Sequence, residues 1–250
     1  MAHEYYAIDL PGKILYKKQF NVKVRRITPL EQRYIISLHQ KEQITSKEYI
    51  DFVKKLVEFD NPEMTFEELF WNDVRYILYR IRFTTYSKHP IKLVFPCQTT
   101  NEETKEVCDE KIYETLDLSS LEIHTPDDVK DYAYTINLEN LGETPIRPKT
   151  IADDLEIEKL CIKKELDKDD PSIIALLAEL CLISGDRTLE EMYDLTEDGT
   201  VTVQDLLDVE NWFEKHDWGV HEEIRVRCPK CGKEEVRRFT IDLMDFFSYI

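Results

Sequence analysis

Each half of the chain contains a pair of cysteines set between two short runs of strand-forming residues. In the first half the pair is Cys97 and Cys108, and in the second half it is Cys228 and Cys231. A hydrophobic-Asp-Leu triplet follows each unit; the two triplets are Leu116-Asp117-Leu118 and Ile241-Asp242-Leu243. The same parts in the same order predict that the chain is built from two structural repeats.

Matching segments also lie upstream of each cysteine pair. Thr65 and Thr202 are each followed three residues later by an acidic residue, the pattern of a capped helix start. Thr28 and Thr150 open comparable helices. Farther upstream, the corresponding segments are Ile8-Asp9-Leu10 and Ile136-Asn137-Leu138.

These landmarks predict an α+β fold with two pseudo-symmetric repeats, each comprising a β-hairpin, about three helices and a strand–knuckle–strand unit. The first repeat is assigned to residues 1–122 and the second to residues 123–250, with a link near 119–135. Capping residues and Pro171 mark most helix starts. The predicted helices are 28–40, 46–58, 65–81, 150–165, 171–184, 188–194 and 202–216.

The second cysteine pair has the composition of a zinc knuckle. Two residues separate Cys228 from Cys231, and Gly232 follows. Thiolates at this spacing hold one tetrahedral Zn²⁺, and the glycine permits the tight turn that brings backbone amides to the sulfurs. A redox pair normally opens a helix, whereas this pair lies between predicted strands.

One knuckle supplies two ligands, so a structural zinc site needs two more. The repeat predicts that Cys97 and Cys108 supply them, with residues 98–107 inserted between the two ligands. Zinc would then join the two repeats, and its binding energy would be folding energy. Two alternatives remain open at this point: the first half has lost its metal site, or His221 replaces one of its cysteines.

Cys161 and Cys181 lie among apolar helix residues and are predicted to be core residues.

The net charge of −18 restricts the possible partners. Phosphate-directed nucleic-acid binding needs a basic surface, so the overall charge disfavours DNA, RNA and anionic membranes. No apolar stretch is long enough for a membrane span, and the N-terminus lacks the pattern of a secretory signal. We therefore expect an intracellular protein in a reducing compartment, where thiols bind metals or pack in cores.

No catalytic signature is present. The sequence contains no nucleophile elbow, no HExxH motif and no phosphate-binding glycine loop. Residues 194–205 approximate a calcium loop, but Thr196 and Asp205 depart from it, and helix capping explains Asp205 without an ion. The many acidic residues do not converge on one segment, which disfavours a carboxylate hydrolase.

The last residues of the sequence are unusually apolar. Such a segment is expected to dock, either on its own core or in a partner. The residues assigned to partner binding are Phe246, Phe247, Tyr249 and Ile250.

Together these motifs resemble the baseplate proteins of T4-like contractile-tailed bacteriophages, specifically the zinc-ribbon-containing hub assembly family. The resemblance rests on Leu10-Pro11-Gly12, the two half-chain repeats, the cysteine pairs within strands, and the terminal Asp-Leu and Phe246-Phe247 doublets. It covers essentially the whole chain, although the first knuckle departs from the family's close cysteine pair.

The resemblance implies a non-enzymatic structural or assembly component of the baseplate hub. Its partners would be other tail proteins, and its location would be the virion and, during assembly, the host cytoplasm. The alternative is a zinc-ribbon regulator acting on nucleic acid or polymerase. The two hypotheses differ in whether the cations near the second knuckle form an unpaired basic face: Arg225, Arg227, Lys230, Lys233, Arg237 and Arg238.

Overall fold

The computed structural model describes residues 3–39, 46–86, 90–100, 107–126, 135–216 and 218–239. The α-helices within these ranges are α1 (Pro29–His39), α2 (Ser46–Lys54), α3 (Trp71–Tyr86), α4 (Ile151–Lys164), α5 (Pro171–Leu182), α6 (Leu189–Glu197) and α7 (Val203–Lys215). Three short 3-10 turns cover Lys13–Leu15, Phe66–Glu68 and Leu118–Ser120. No helix in the described part of the chain is both long and apolar enough to cross a membrane.

The strands form small antiparallel sheets, so the predicted α+β class is confirmed. They are β1 (Tyr5–Ile8), β2 (Val22–Arg25), β3 (Val57–Phe59), β4 (Ile91–Pro96), β5 (Lys111–Leu116), β6 (Ile123–His124), β7 (Thr135–Leu138), β8 (Gly142–Pro145), β9 (Gly219–Val220), β10 (Glu223–Arg227) and β11 (Glu234–Arg238). Strands β1, β2 and β3 form one sheet, and the others pair as β4–β5, β6–β9, β7–β8 and β10–β11. The predicted first hairpin therefore gains a third strand.

Threonine–acid capping boxes begin several of the helices, as the sequence predicts. At the start of α4, the Thr150 amide and hydroxyl donate to Asp153 Oδ2 at 2.7 and 2.9 Å. At the start of α7, the Thr202 amide donates to Asp205 at 2.8 Å, and the Asp205 amide donates back to the threonine hydroxyl at 3.2 Å. Each box satisfies amides that the helix geometry leaves without partners.

An arginine brace reinforces the capping box at the start of α1 and of α4. Arg25 donates to both carboxylate oxygens of Glu31 at 2.9 and 2.6 Å and to the carbonyl of Arg26. Arg147 donates to both oxygens of Asp153 at 2.6 Å and to the carbonyl of Pro148. In each case the arginine precedes the capping threonine by three residues and the acid follows it by three. This recurrence is compatible with duplication, which remains a prediction.

The hydrophobic core consists mainly of two clusters. The first surrounds α3 and strands β1 to β3, and it also takes in Ile151 and Phe239 from the second half of the chain. The second lies between β7 and helices α4 to α7, and it contains Leu177, Leu180 and Val209. Because second-half residues complete the first cluster, the two halves are packed together, while the boundary at 122/123 stays a prediction.

Helix α3 begins later than the sequence predicts because hydrogen bonds join the residues before it to the second half of the chain. The predicted helix over 65–81 is a 3-10 turn at its beginning and becomes α-helical at Trp71. Trp71 N–H donates to the Lys149 carbonyl at 2.9 Å, and Ile151 N–H donates to the Leu69 carbonyl at 3.0 Å. These bonds hold residues 69–71 beside the start of α4 and interrupt the helix there.

The N-terminal turn is also fixed by contacts from both halves. Gly12 N–H donates to Asp73 Oδ1 at 2.9 Å, and the Tyr16 hydroxyl donates to Asp73 Oδ2 at 2.7 Å. A Cβ on Gly12 would lie 2.3 Å from the Trp218 ring, closer than atoms can approach. Glycine is therefore required at this position because Trp218 fills the space.

Candidate metal centre

The two predicted cysteine pairs lie at the ends of two β-hairpins. Strand β4 leads into Cys97 and β10 leads into Cys228. Strand β5 begins three residues after Cys108, and β11 begins three residues after Cys231. The chain therefore enters and leaves each pair in the same way, although the two pairs have different spacings.

Both hairpin ends have the same backbone hydrogen bonds. Cys97 N–H donates to the Glu110 carbonyl at 2.8 Å, and Asp109 N–H donates to the Cys97 carbonyl at 3.1 Å. In the second hairpin, Cys228 N–H donates to the Lys233 carbonyl and Gly232 N–H donates to the Cys228 carbonyl, both at 2.9 Å. The first hairpin is thus a knuckle of the same kind with extra residues between its cysteines.

The four cysteine sulfurs converge on one point. Cys97 Sγ lies 3.7 Å from Cys231 Sγ, and Cys108 Sγ lies 3.8 Å from Cys228 Sγ. All four sulfurs lie within 4.8 Å of one another. A Zn–S bond of about 2.3 Å gives a tetrahedron with sulfurs about 3.8 Å apart, so the observed separations fit a four-thiolate zinc site.

The thiols of the cluster differ in how readily they ionise. Hydrogen bonding from the hydroxyl and amide of Thr99 lowers the pKa of Cys97 to about 7. Loss of solvation raises the pKa of Cys108 to about 12, and the neighbouring sulfurs add to the increase. One thiol of the group therefore ionises readily while another resists ionisation. A divalent cation would stabilise all four thiolates and release their protons.

A small apolar cluster surrounds the sulfurs. Cys97 and Cys228 are buried beside Ile112 of β5 and Val226 of β10. Cys108 is partly buried and Cys231 is exposed. The apolar residues thus cover Cys97 and Cys228, while Cys231 is open to solvent.

Arg237 of β11 links the two hairpins beside the cysteine cluster. Its guanidinium donates to the Pro96 carbonyl at 3.3 Å and to Gln98 Oε1 at 3.2 Å. It also forms an ion pair with Glu235 at 2.8 Å. The sequence predicts Arg237 only as one cation of a basic face, and nothing in its local sequence signals this contact between the hairpins.

Three of the six cations near the second knuckle pair with acids of the same hairpin. Arg227 lies 3.9 Å from Glu234, and Arg238 lies 3.1 Å from Glu223; Arg237 pairs as described. Arg225, Lys230 and Lys233 are exposed and form no ion pair with the described residues. The basic face is thus only partly unpaired.

The other candidate ligands have different partners. His221 Nε2 lies 2.9 Å from Glu223, and its ring lies 5.0 Å from that of His124. Among the described His, Cys, Asp and Glu residues, the group close enough to hold a metal is the four cysteines, without His221. Cys161 and Cys181 are buried in the second core cluster, as predicted.

The acidic groups of the calcium-like segment serve the local fold. Asp194 pairs with Lys164 at 2.7 Å, and Asp198 accepts from the Thr200 amide at 2.9 Å. Asp205 caps α7 through Thr202. The residues of the apolar terminal segment lie outside the described residues: Phe246, Phe247, Tyr249 and Ile250.

The chain matches one known family over nearly its full length. The family model described as T4 bacteriophage base plate protein matches residues 6–248, a span that includes both knuckles. No curated protein and no solved structure matches the chain.

Proposed function

The chain belongs to the T4 bacteriophage base plate protein family, and on that premise we propose that it is a structural or assembly component of the baseplate hub, held rigid by one zinc ion shared between its halves. The family membership confirms the resemblance drawn from the motifs and indicates a baseplate structural protein of the virion. The hub position, the zinc and a period in the host cytoplasm during assembly are our proposals.

The convergence of the four sulfurs carries the zinc proposal. Cys97 and Cys108 come from the first half, Cys228 and Cys231 from the second, and all four sulfurs lie within 4.8 Å. Four thiolates in a tetrahedral arrangement suit Zn²⁺ better than the oxygen-preferring Mg²⁺ or Ca²⁺. In our proposal, these four residues are the ligands, and the ion closes a loop of slightly more than half of the chain.

Two observations support the proposed organisation as two repeats, residues 1–122 and 123–250. The knuckles share their backbone hydrogen bonds, and the arginine braces at Arg25 and Arg147 share theirs. A zinc ion between two related knuckles would then lie near a pseudo-twofold axis and fix the angle between the repeats.

A four-thiolate zinc site suits a structural role. Catalytic zinc keeps an open position for water or substrate, whereas four cysteine ligands fill the tetrahedron. We therefore propose that the protein acts through contacts with other baseplate and tail proteins and not as an enzyme. The apolar residues Phe246, Phe247, Tyr249 and Ile250 are proposed to contribute to such contacts.

The alternative, a nucleic-acid regulator, has less support. Half of the cations near the second knuckle pair with glutamates, and the net charge of the chain is −18. Three unpaired cations among the described residues offer few phosphate contacts, and phosphate-directed binding draws its affinity from many such contacts.

Co-expression with the other tail proteins of the same phage tests the proposal. We expect the tagged wild-type chain to copurify with one or more baseplate proteins, and Cys228→Ser to lose this association together with its zinc. Cys161→Ser is the matched control and should retain both. Copurification of wild type with nucleic acid or polymerase in place of tail proteins would instead support the regulator.

A further inference from the structure

We propose that copies of this protein associate head to tail, with the outer face of the β10–β11 hairpin of one copy docking on helix α7 of the next. This inference goes beyond the proposed function and does not depend on the identity of the metal. It rests on two exposed surfaces of the same chain that are complementary in charge and both contain apolar side chains.

The first surface is the side of the hairpin that faces away from the sulfurs. Side chains alternate along a strand, so Val226 faces the cysteine cluster while Arg225 and Arg227 face outward. Val236 lies directly opposite Arg225 in the strand register and is 56% exposed. Of the six cations in residues 224–238, Arg225, Lys230 and Lys233 are exposed and form no ion pair with the described residues, in a chain with a net charge of −18.

The second surface is one side of α7. Val203, Leu207, Glu210 and Glu214 recur at helical spacing and therefore lie on the same face. All four are exposed, with Val203 at 75% and Leu207 at 46%. Large apolar side chains exposed beside acids on one helix face are typical of a contact surface.

The acids of α7 form no ion pair with a cation among the described residues. Helix α7 contains four acidic residues and one basic residue, Lys215, at its end. Glu210 and Glu214 form no ion pair with the described residues. Loss of solvation raises the pKa of the partly buried Glu179, and the negative charge of Glu210 raises it further. Both acids also lie near the negative C-terminal end of the helix, so a cationic partner would stabilise them.

The two surfaces do not neutralise each other within one molecule. The described ion pairs of the hairpin are local, and none joins it to α7. Pairing therefore requires a second copy. Because the two surfaces differ, the contact is heterologous and would produce a ring or an open filament.

Electrostatics permits this contact despite the net negative charge. At physiological ionic strength charges are screened over about 8 Å, so local complementarity outweighs repulsion between whole molecules. A bound zinc with four thiolates would add two negative charges on the inner side of the hairpin. The outer cations would still face the partner.

Sedimentation velocity of the zinc-loaded full chain over a range of concentrations tests the proposal. We expect wild type to form dimers and larger species, and higher salt to weaken them. The double variant Arg225→Glu/Lys230→Glu reverses the charge of the hairpin surface. The double variant Glu210→Lys/Glu214→Lys reverses the charge of the α7 surface. Each variant alone should associate at least tenfold more weakly than wild type. An equimolar mixture of the two variants should associate again, since each reversal creates a complement to the other.

Several outcomes would overturn the proposal. They are a monomeric wild type at all concentrations, reversed variants that associate as wild type does, and a mixture that stays monomeric. Binding of a DNA or RNA oligonucleotide that is lost in the hairpin variant would assign the basic face to nucleic acid. Circular dichroism and zinc content serve as folding controls, and the neutral variant Arg225→Gln/Lys230→Gln should associate with intermediate strength.

Discussion

Asp109 and Gly232 occupy the same position in the two knuckles. Each follows the second cysteine of its pair, each donates its amide to the carbonyl of the first cysteine, and each has a positive φ, 51° for Asp109 and 73° for Gly232. The knuckle turn thus requires a left-handed residue in both hairpins. Glycine adopts this conformation without a Cβ penalty, whereas aspartate is strained.

Exchanging these two residue types should have opposite effects. Asp109→Gly should stabilise the protein by roughly 0.5–1 kcal/mol because it removes the left-handed strain. Gly232→Asp should destabilise it by a similar amount. Urea unfolding of zinc-loaded protein measures both changes. If Gly232→Asp leaves the urea midpoint unchanged, the second turn does not need its positive φ.

The residues between Cys97 and Cys108 should be dispensable for the knuckle. Replacing 98–107 with Pro-Lys, together with Asp109→Gly, reproduces the sequence of the second knuckle. Because the backbone bonds at both ends of the insertion match those of that knuckle, the shortened chain should still bind one zinc. Inductively coupled plasma mass spectrometry measures the zinc content. A shortened chain that folds without zinc would show that the insertion is needed to place Cys97 or Cys108.

Comparison of the two knuckles shows what the sequence could predict about the site. The spacing and glycine of Cys228, Cys231 and Gly232 suffice to identify one knuckle. Cys97 and Cys108 were predicted only because the surrounding segments recur, since a ten-residue separation has no ligand signature of its own. The left-handed conformation of Asp109 is not predicted from the sequence. The signal for it is that Asp109 follows Cys108 in the same way that Gly232 follows Cys231.

Contacts distant in sequence account for most of what was not predicted in the fold. Strand β3 joins the first sheet through pairs such as Val24 with Val57, and β6 in the predicted link pairs with β9. The start of α3 shifts because residues 69–71 bond to residues 149–151. Capping signals predict local helix starts well, but they carry no information on such long-range bonds.

The arginine braces should make the protein lose stability as the pH becomes acidic. Burial raises the pKa of Glu31, but hydrogen bonds from Arg25 and Thr28 outweigh it and bring the value to about 2. This stabilisation is present above the ordinary glutamate pKa and is lost as the pH falls from about 4 towards 2. Arg25→Gln should cost about 2–3 kcal/mol at pH 7 and much less at pH 2.

Arg147→Gln is the matched comparison for Arg25→Gln. The Arg147 side chain is 38% exposed against 7% for Arg25, but its partner Asp153 is 3% exposed against 22% for Glu31. Screening of the arginine and burial of the acid oppose each other, so we expect the two variants to cost a similar amount. Urea midpoints at pH 7 and pH 2 measure both variants. Equal midpoints for Arg25→Gln and wild type at pH 7 would contradict the brace.

Asp73 should have the opposite pH dependence. Burial raises its pKa to about 7, although Tyr16 and Gly12 donate hydrogen bonds to it. The folded state therefore binds a proton that the unfolded chain releases near pH 4, and stability should fall by roughly 1 kcal/mol per pH unit between about 4 and 7. Asp73→Asn cannot titrate and should flatten this slope.

Thermal unfolding of wild type and Asp73→Asn between pH 5 and 7.5, both with zinc, measures the slope. Tyr16→Phe removes one hydrogen bond that stabilises the Asp73 carboxylate. The stability of this variant should therefore continue to fall to a higher pH than that of wild type. Parallel curves for wild type and Asp73→Asn would show that Asp73 does not titrate in this range.

The zinc content of single-cysteine variants tests the shared metal site most directly. Wild type should contain one zinc per chain, and both Cys97→Ser and Cys228→Ser should lose it, while Cys181→Ser, altered in the second core cluster, keeps it. The two ligand variants should also unfold at lower temperature, since zinc binding contributes to folding. Loss of zinc from Cys228→Ser alone, with Cys97→Ser still fully loaded, would contradict a single ion held by both halves of the chain.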